Sequence, residues 1–212
     1  FQLNNLLYTI PNIPNSQVPA GSTDQHNEVV FEHGEIPFDG FNKIPHWEIA
    51  SKFNLIDFEL GNKVTGAGFP FYKGFGALYQ RALINFFLTE AIKAGYTEYQ
   101  APLLVNEASG FGTGQLPDKE GQMYFANEDN LYLIPTAEVP ITNIFRNEIL
   151  NKSDLPIKST GYTPCFRREA GSYGKDVRGL NRLHQFDKVE IVQIAHPDQS
   201  YKILEDMLAH AK

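Results

Sequence analysis

Residue types that handle anions and ammonium groups recur at strand-like spacing near the C-terminal end of the sequence. Arg167 and Glu169 lie in the stretch GYTPCFRRE, and His184, Phe186, Lys188 and Glu190 lie in LHQFDKVEIV. Side chains two apart on an extended chain share a face, so Arg167 and Glu169 point one way and Arg168 the other. The same parity groups His184, Phe186, Lys188 and Glu190. If the two faces coincide, one small surface carries a guanidinium fork, two carboxylates and an aromatic ring. Arginine offers paired donors to phosphate or carboxylate, a ring offers a π-face to a purine, and a carboxylate accepts an ammonium. Such a set suits a nucleotide beside a zwitterion. The connection between the two stretches adds Lys175, Arg178 and Arg182 on a glycine-rich backbone, and long loops in compact domains are functional or disordered. Spacing alone fits a hairpin with a solvated charged face at least as well.

Other chemistries find no support. There is no Gly-x-x-x-x-Gly-Lys-Ser/Thr, and Gly110-x-Gly112-x-Gly114 lacks the third glycine and acidic partner of a dinucleotide fingerprint. The six histidines form no His-x-x-x-His pair, no Gly-x-Ser-x-Gly occurs, and Cys165 between Pro164 and Phe166 reads as a core cysteine. A metal held by protein nitrogen or sulfur is not expected. One cysteine in 212 residues excludes an internal disulfide framework and fits a reducing compartment, most simply the cytoplasm. No apolar run approaches the roughly 20 residues of a spanning helix, so no membrane is expected, and residues 1–5 show no export signal. The formal net charge of −7 argues against a surface coated for nucleic acid. Residues 151–190, however, hold eight Lys or Arg against five Asp or Glu, which suggests focused capture of an anion.

The elements that must position these groups are read from periodicity. Residues 1–45 form an extended, proline-broken lead-in with one short strand near 28–32. Helical turns are expected over 46–58, then strand and turn over the glycine- and aromatic-rich 61–76. A long helix spans about 77–94, with Tyr79, Leu83, Phe87, Ala91 and Ala94 on one face and Gly95 ending it. Residues 96–105 have strand character, with Pro102 favouring an edge or an irregular strand end, 110–121 form a loop, 131–134 a strand and 138–150 a helix. Two strands, 161–169 and 183–194, pair antiparallel, and a helix begins at Pro197. The class is α+β, a mainly antiparallel sheet flanked by helices.

Phe166-Arg167-x-Glu169, a loop, then Arg182-x-x-x-Phe186 resembles motif 2 of the class II aminoacyl-tRNA synthetases, and residues 96–105 with Pro102 resemble motif 1. Longer matches are similar to the seryl-tRNA synthetase family in particular. They are Gly112-Thr113-Gly114-Gln115-Leu116-Pro117, Thr136-Ala137-Glu138, Arg167-Arg168-Glu169-Ala170-Gly171-Ser172, Arg178-Gly179-Leu180 and His184-Gln185-Phe186-Asp187-Lys188-Val189-Glu190. The resemblance covers almost the whole chain. It implies a partial class II catalytic core and a cytoplasmic homodimer formed through motif 1. The activity implied is ATP-dependent conversion of serine to seryl-adenylate, followed by transfer to the 3′ end of tRNA(Ser). Arg167 would bridge the α-phosphate and the serine carboxylate as the catalytic group. Glu169, Arg182, Leu183 and Phe186 would complete the ATP site, with Glu169 at the adenine amino group, Arg182 at the γ-phosphate and Phe186 stacked on the base. Thr136, Glu138 and Glu190 would select serine.

The same resemblance implies that residues 1–45 follow an absent tRNA-gripping helical arm and that 46–212 carry motifs 1 and 2 without motif 3. The Mg2+ ligands would lie in the absent part. Two other readings share the scaffold. One is a homologue that activates a small amino acid without charging tRNA; the other is a non-catalytic dimerisation module. The expected outcome of an aminoacylation assay on the isolated 212-residue chain is little or no seryl-tRNA, and robust charging would contradict the motif assignment.

Overall fold

A computed structural model describes residues 2–35, 43–169 and 178–212. The chain divides into two compact units, Phe1–Ile44 and Pro45–Lys212. The first contains helix α1 (Gln2–Leu7) and a 3-10 turn at Asp24–His26, where the Thr23 hydroxyl meets His26 Nδ1 at 3.0 Å. The strand expected near 28–32 is not formed. Val29 and Val30 are exposed, and a β-prone pair without a partner strand does not hold an extended ladder.

The second unit opens with helix α2 (His46–Lys52), strand β1 (Ile56–Asp57), helix α3 (Phe58–Val64) and strand β2 (Phe71–Tyr72), which pairs antiparallel with β1. The strand-and-turn expectation for 61–76 is thus wrong for its first residues. Asp57 caps α3 by accepting from the Leu60 amide at 2.9 Å, and that local signal outweighs Gly61. The long helix α4 runs Phe75–Lys93, close to its expected limits, and Gly95 follows it at φ +86°. Its apolar residues are not confined to one stripe: Phe75, Leu78, Tyr79, Phe86 and Phe87 are all exposed.

Residues 96–105 form two short strands rather than one. Strand β3 (Thr97–Glu98) and strand β4 (Leu104–Val105) flank Pro102 and join different sheets. Residues 110–121 begin inside helix α5 (Glu107–Gly112), because the Asn106 side chain accepts from the Ser109 amide at 3.0 Å and so starts a helix ahead of the glycines. Strands β5 (Phe125–Ala126) and β6 (Leu131–Leu133) complete an antiparallel sheet in the order β4-β6-β5. Helix α6 covers only Glu138–Thr142 and ends in a 3-10 turn, well short of residue 150. Asn143 donates to the Val139 carbonyl at 2.8 Å, and Asn147 takes a left-handed φ of 65° that no helix continues through.

Strands β7 (Ile157–Phe166) and β8 (Gln185–Ile194) form the antiparallel pair expected, although β7 starts earlier and stops before Arg167. β3 lies parallel to β7 on its other side. Arg167 donates its amide to the His184 carbonyl at 2.9 Å, so odd-numbered amides of β7 face β8 and even-numbered ones face away. Pro164 falls in the outward set and removes no bond to β8. After a 3-10 turn at Pro197–Gln199, helix α7 (Ser200–Ala211) closes the element order.

One outward amide does most to connect the sheets. Phe166 donates to the Ile134 carbonyl at 2.9 Å, while the Ile134 amide donates to Leu103 at 3.0 Å. The segment after β6 is thereby held along the end of β7, with Ile134, Val105 and Val139 packed into a core cluster. Gly161, opposite Glu190, sits where a Cβ would press on the Tyr99 carbonyl at 2.7 Å and on Ile141 Cδ1 at 2.9 Å. Gly161→Ala is expected to cost about 1–3 kcal/mol by overpacking, read as a lower urea midpoint at constant slope. An unchanged midpoint would show that this junction is looser than described.

Candidate functional site

The β7–β8 register sets the face that carries the charged groups. Gly161, Thr163 and Cys165 stand opposite Glu190, Lys188 and Phe186, and the main-chain bond at Arg167 and His184 extends the same alternation. Arg167, Phe186, Lys188 and Glu190 therefore share one side of the sheet, so the two faces grouped by parity coincide. The Arg167 guanidinium lies 5.1 Å from the Phe186 ring centroid, and its Nε approaches the Pro135 carbonyl at 3.4 Å. Among the described residues Arg167 has no carboxylate partner.

At the other end, the Thr136 hydroxyl donates to Glu190 Oε2 at 2.6 Å and accepts from the Glu138 amide at 3.2 Å. One buried hydroxyl thus serves both the following helix and the carboxylate. Lys188 Nζ also meets Glu190 Oε2 at 2.6 Å, with both side chains partly buried. Parity places Lys188 beside Glu190, but which carboxylate it would take was not legible from spacing. Pro135 and Thr136 reach this face because of the Phe166–Ile134 bond, a contact that no motif signals.

The remaining candidates are less converged. Strand parity ends before Glu169, which adopts a left-handed φ of 48° and pairs with Arg182 at 3.4 Å. The Glu169 side chain is only 13% exposed, whereas that of Arg182 is 54% exposed. Leu183 is buried and lines an apolar cavity of about 1120 Å³ beside α4, with Leu83, Ile84, Phe87, Val189 and Ile191. Glu138 is exposed at the start of α6 and makes no side-chain hydrogen bond or ion pair among the described residues. Lys175 and the stretch Ala170-Gly171-Ser172 lie outside the described residues.

Two supports escape sequence reasoning. The His184 ring meets the Tyr124 hydroxyl at 2.7 Å and stacks on Phe69 at 5.3 Å, while its amide donates to the Gly68 carbonyl at 2.9 Å. On the opposite face of β8, Asp187 accepts from Tyr162 at 2.6 Å and from Gln80 of α4. Burial, then the Asp187 hydrogen bond, pushes the Tyr162 phenol well above its ordinary range, so it remains a donor to the carboxylate.

Comparison with known proteins shows what this chain is similar to. Residues 123–212 match the tRNA synthetase class II core domain (G, H, P, S and T). The serine–tRNA ligase of Salinibacter ruber is 57% identical over 207 residues, 98% of this chain and 48% of that protein. That of Trichlorobacter lovleyi is 50% identical over 212 residues, covering all of this chain and 50% of the relative. Over its whole length the chain is similar to serine–tRNA ligases, and its C-terminal part to the class II synthetase core domain. It spans about half the length of the curated relatives it matches. Its class II fold superposes on the seryl-tRNA synthetase from Pyrococcus horikoshii complexed with ATP at a TM-score of 0.87 and 30% identity, covering 98% of this chain and 51% of that one. It superposes on the cytoplasmic serine–tRNA ligase from Naegleria fowleri in complex with AMP at 0.91 and 28%, covering 99% and 50%.

Within this candidate site Cys165 is fully buried on the same face as Phe186, as a core cysteine should be. Burial pushes its thiol up, against smaller opposing effects from Thr163, Lys188 and Arg167. A raised thiol holds less thiolate at pH 8 than an ordinary cysteine, and thiolate is the reactive form. Iodoacetamide labelling of Cys165, followed by peptide mass spectrometry, is expected to be far slower in the folded protein than in urea, with its rate–pH curve displaced to alkaline pH. Labelling as fast as in the unfolded chain would place the thiol at the surface.

Proposed function

We propose that the full-length protein is a serine–tRNA ligase that joins serine to ATP on the face of β7 and β8, releases pyrophosphate and passes the seryl group to tRNA(Ser). The observation that carries this reading is the position of Arg167. Among the described residues it is a guanidinium without a carboxylate partner, between an aromatic ring and a hydroxyl–carboxylate pair. Glu190 and Glu169 already have cations beside them, so Arg167 is the fork left for an incoming anion. Glu190 stands four residues beyond Phe186 along the strand, roughly 13 Å at the usual rise, room for a nucleoside at one end and a small amino acid at the other.

In the proposed reaction a serine carboxylate oxygen attacks the α-phosphorus. The new acyl–phosphate bond forms as the bond to the β-phosphate bridging oxygen breaks, and pyrophosphate leaves with that electron pair. Two anions must meet, so charge neutralisation and alignment by Arg167 supply the rate, and no proton transfer is required. Phe186 offers its face to adenine, with Glu169 and Arg182 at the nucleotide and the Leu183 backbone at the base. Thr136 and Glu190 read the serine hydroxyl and ammonium, with Glu138 completing that end. A ligand lacking the hydroxyl would leave these polar groups unpaired. A tRNA 3′-adenosine hydroxyl then attacks the seryl carbonyl and AMP departs.

Magnesium would enter with ATP. Among the described residues no three His, Cys, Asp or Glu side chains are arranged to hold a metal ion, so it is not assigned to them. The exposed apolar side chains of α4, beside the motif 1 strands, support a homodimer. A free, buried Cys165 suits the reducing cytoplasm, and no helix among the described residues is long and apolar enough to cross a membrane.

The test is serine-dependent ATP–pyrophosphate exchange by the full-length protein. Arg167→Lys, which keeps the charge but loses the fork, is expected to lower kcat about 100-fold. Glu190→Gln is expected to raise the KM for serine about 10-fold or more. Exchange driven equally by alanine, or variants indistinguishable from wild type, would refute the reading.

A further inference from the structure

Helix α2 grips the chain just ahead of β8. His46 Nε2 accepts a hydrogen bond from the Leu180 amide at 2.8 Å. The Arg178 guanidinium lies over the Trp47 ring, 4.8 Å from its centroid, and the His46 and Trp47 rings meet edge to face at 5.0 Å. Gly179, between these two contacts, has a φ of +72°. A Cβ there would collide with the His46 imidazole and come within 3.0 Å of Trp47 Cε3. Glycine is required both for the left-handed backbone and for the close approach. Three residues beyond Gly179 stands Arg182, the partner of Glu169.

The body of the protein fixes α2 in turn. Ala50 is buried, its carbonyl accepts from the Leu55 amide at 2.8 Å, and the Leu55 carbonyl accepts from Lys73 at 3.0 Å. By contrast the Glu169–Arg182 pair is a single contact with a largely exposed arginine, and such pairs hold a loop weakly. The described contacts that hold residues 178–180 are thus made to α2.

We propose that His46 and Trp47 are positioning residues that latch residues 178–182 to α2, and so hold Arg182 against Glu169 at the nucleotide end of the site. The consequence for ATP rests on the reading of Arg182 and Glu169 given above. For Nε2 to accept, the imidazole is neutral with its hydrogen on Nδ1. Trp47 acts through its ring: Nε1 is buried without a hydrogen-bond partner among the described residues. The latch touches neither Thr136 nor Glu190, so it bears on ATP and not on serine.

The experiment compares His46→Ala, His46→Gln and Arg178→Leu in the full-length protein. Trp47 emission is isolated by subtracting the spectrum of Trp47→Phe. His46→Ala is expected to red-shift Trp47 emission and speed its quenching by acrylamide. It should raise the KM for ATP about fivefold to tenfold, the loss of one positioning hydrogen bond, with kcat and the KM for serine within about twofold. Glutamine, whose Oε1 can accept from Leu180, should restore both signals. Arg178→Leu leaves α2 intact and should raise the KM for ATP about twofold to fivefold. The latch is overturned if His46→Ala leaves Trp47 quenching unchanged, if kcat or the serine KM moves as much as the ATP KM, or if glutamine fails to rescue. Absence of serine-dependent exchange in the wild type would sink the serine reading alone, since Trp47 quenching still judges the latch.

Discussion

The register between β7 and β8 is the constraint on which the rest depends. Ten residue pairs fix it, from Ile157 opposite Ile194 to Phe166 opposite Gln185. Because side chains alternate, a slip of one residue would send Phe186, Lys188 and Glu190 to the face now held by Tyr162 and Asp187. Asp187, bonded to Tyr162 and to Gln80 of α4, pins that opposite face and opposes such a slip. The bond from Phe166 to Ile134 then carries the register into a second sheet and delivers Pro135 and Thr136 to the site. Backbone pairing, and not the side chains themselves, makes residues from three separate stretches of sequence neighbours.

Electrostatics is consistent with the proposed anion site on an acidic chain. Glu190 on this face is matched by Lys188 and the Thr136 hydroxyl, and Glu169 beyond the strand end by Arg182. What remains is the Arg167 guanidinium, partly buried and resting on the Phe186 ring. A cation on a π-face keeps some stabilisation while leaving its donors free, which suits a group that must be ordered before an anion arrives. The net −7 of the chain is then a property of its body, not of the cleft.

Much of this arrangement was legible in the sequence. Two-residue alternation grouped Phe186, Lys188 and Glu190 on one face and left open whether Arg167 shares it, and the helical period located α4 to within two residues at its start. The failures share a cause. The early end of α6 near Asn147 and the helices nucleated by Asp57 and Asn106 hinge on single polar residues that a window average overlooks. Glu169 leaves the expected parity because its backbone turns left-handed at the strand end, where periodicity no longer applies. The contacts of Thr136 with Glu190 and of His46 with Leu180 span distant stretches of chain and depend on tertiary packing, which has no local signature.

The most direct measurement is a crystal structure of the full-length protein with a non-hydrolysable seryl-adenylate analogue, its phosphate replaced by sulfamate. The account places the adenine on Phe186, the sulfamate at Arg167 and the seryl group between Thr136 and Glu190. An analogue bound elsewhere, or one lying along this face with its ends reversed, would contradict it.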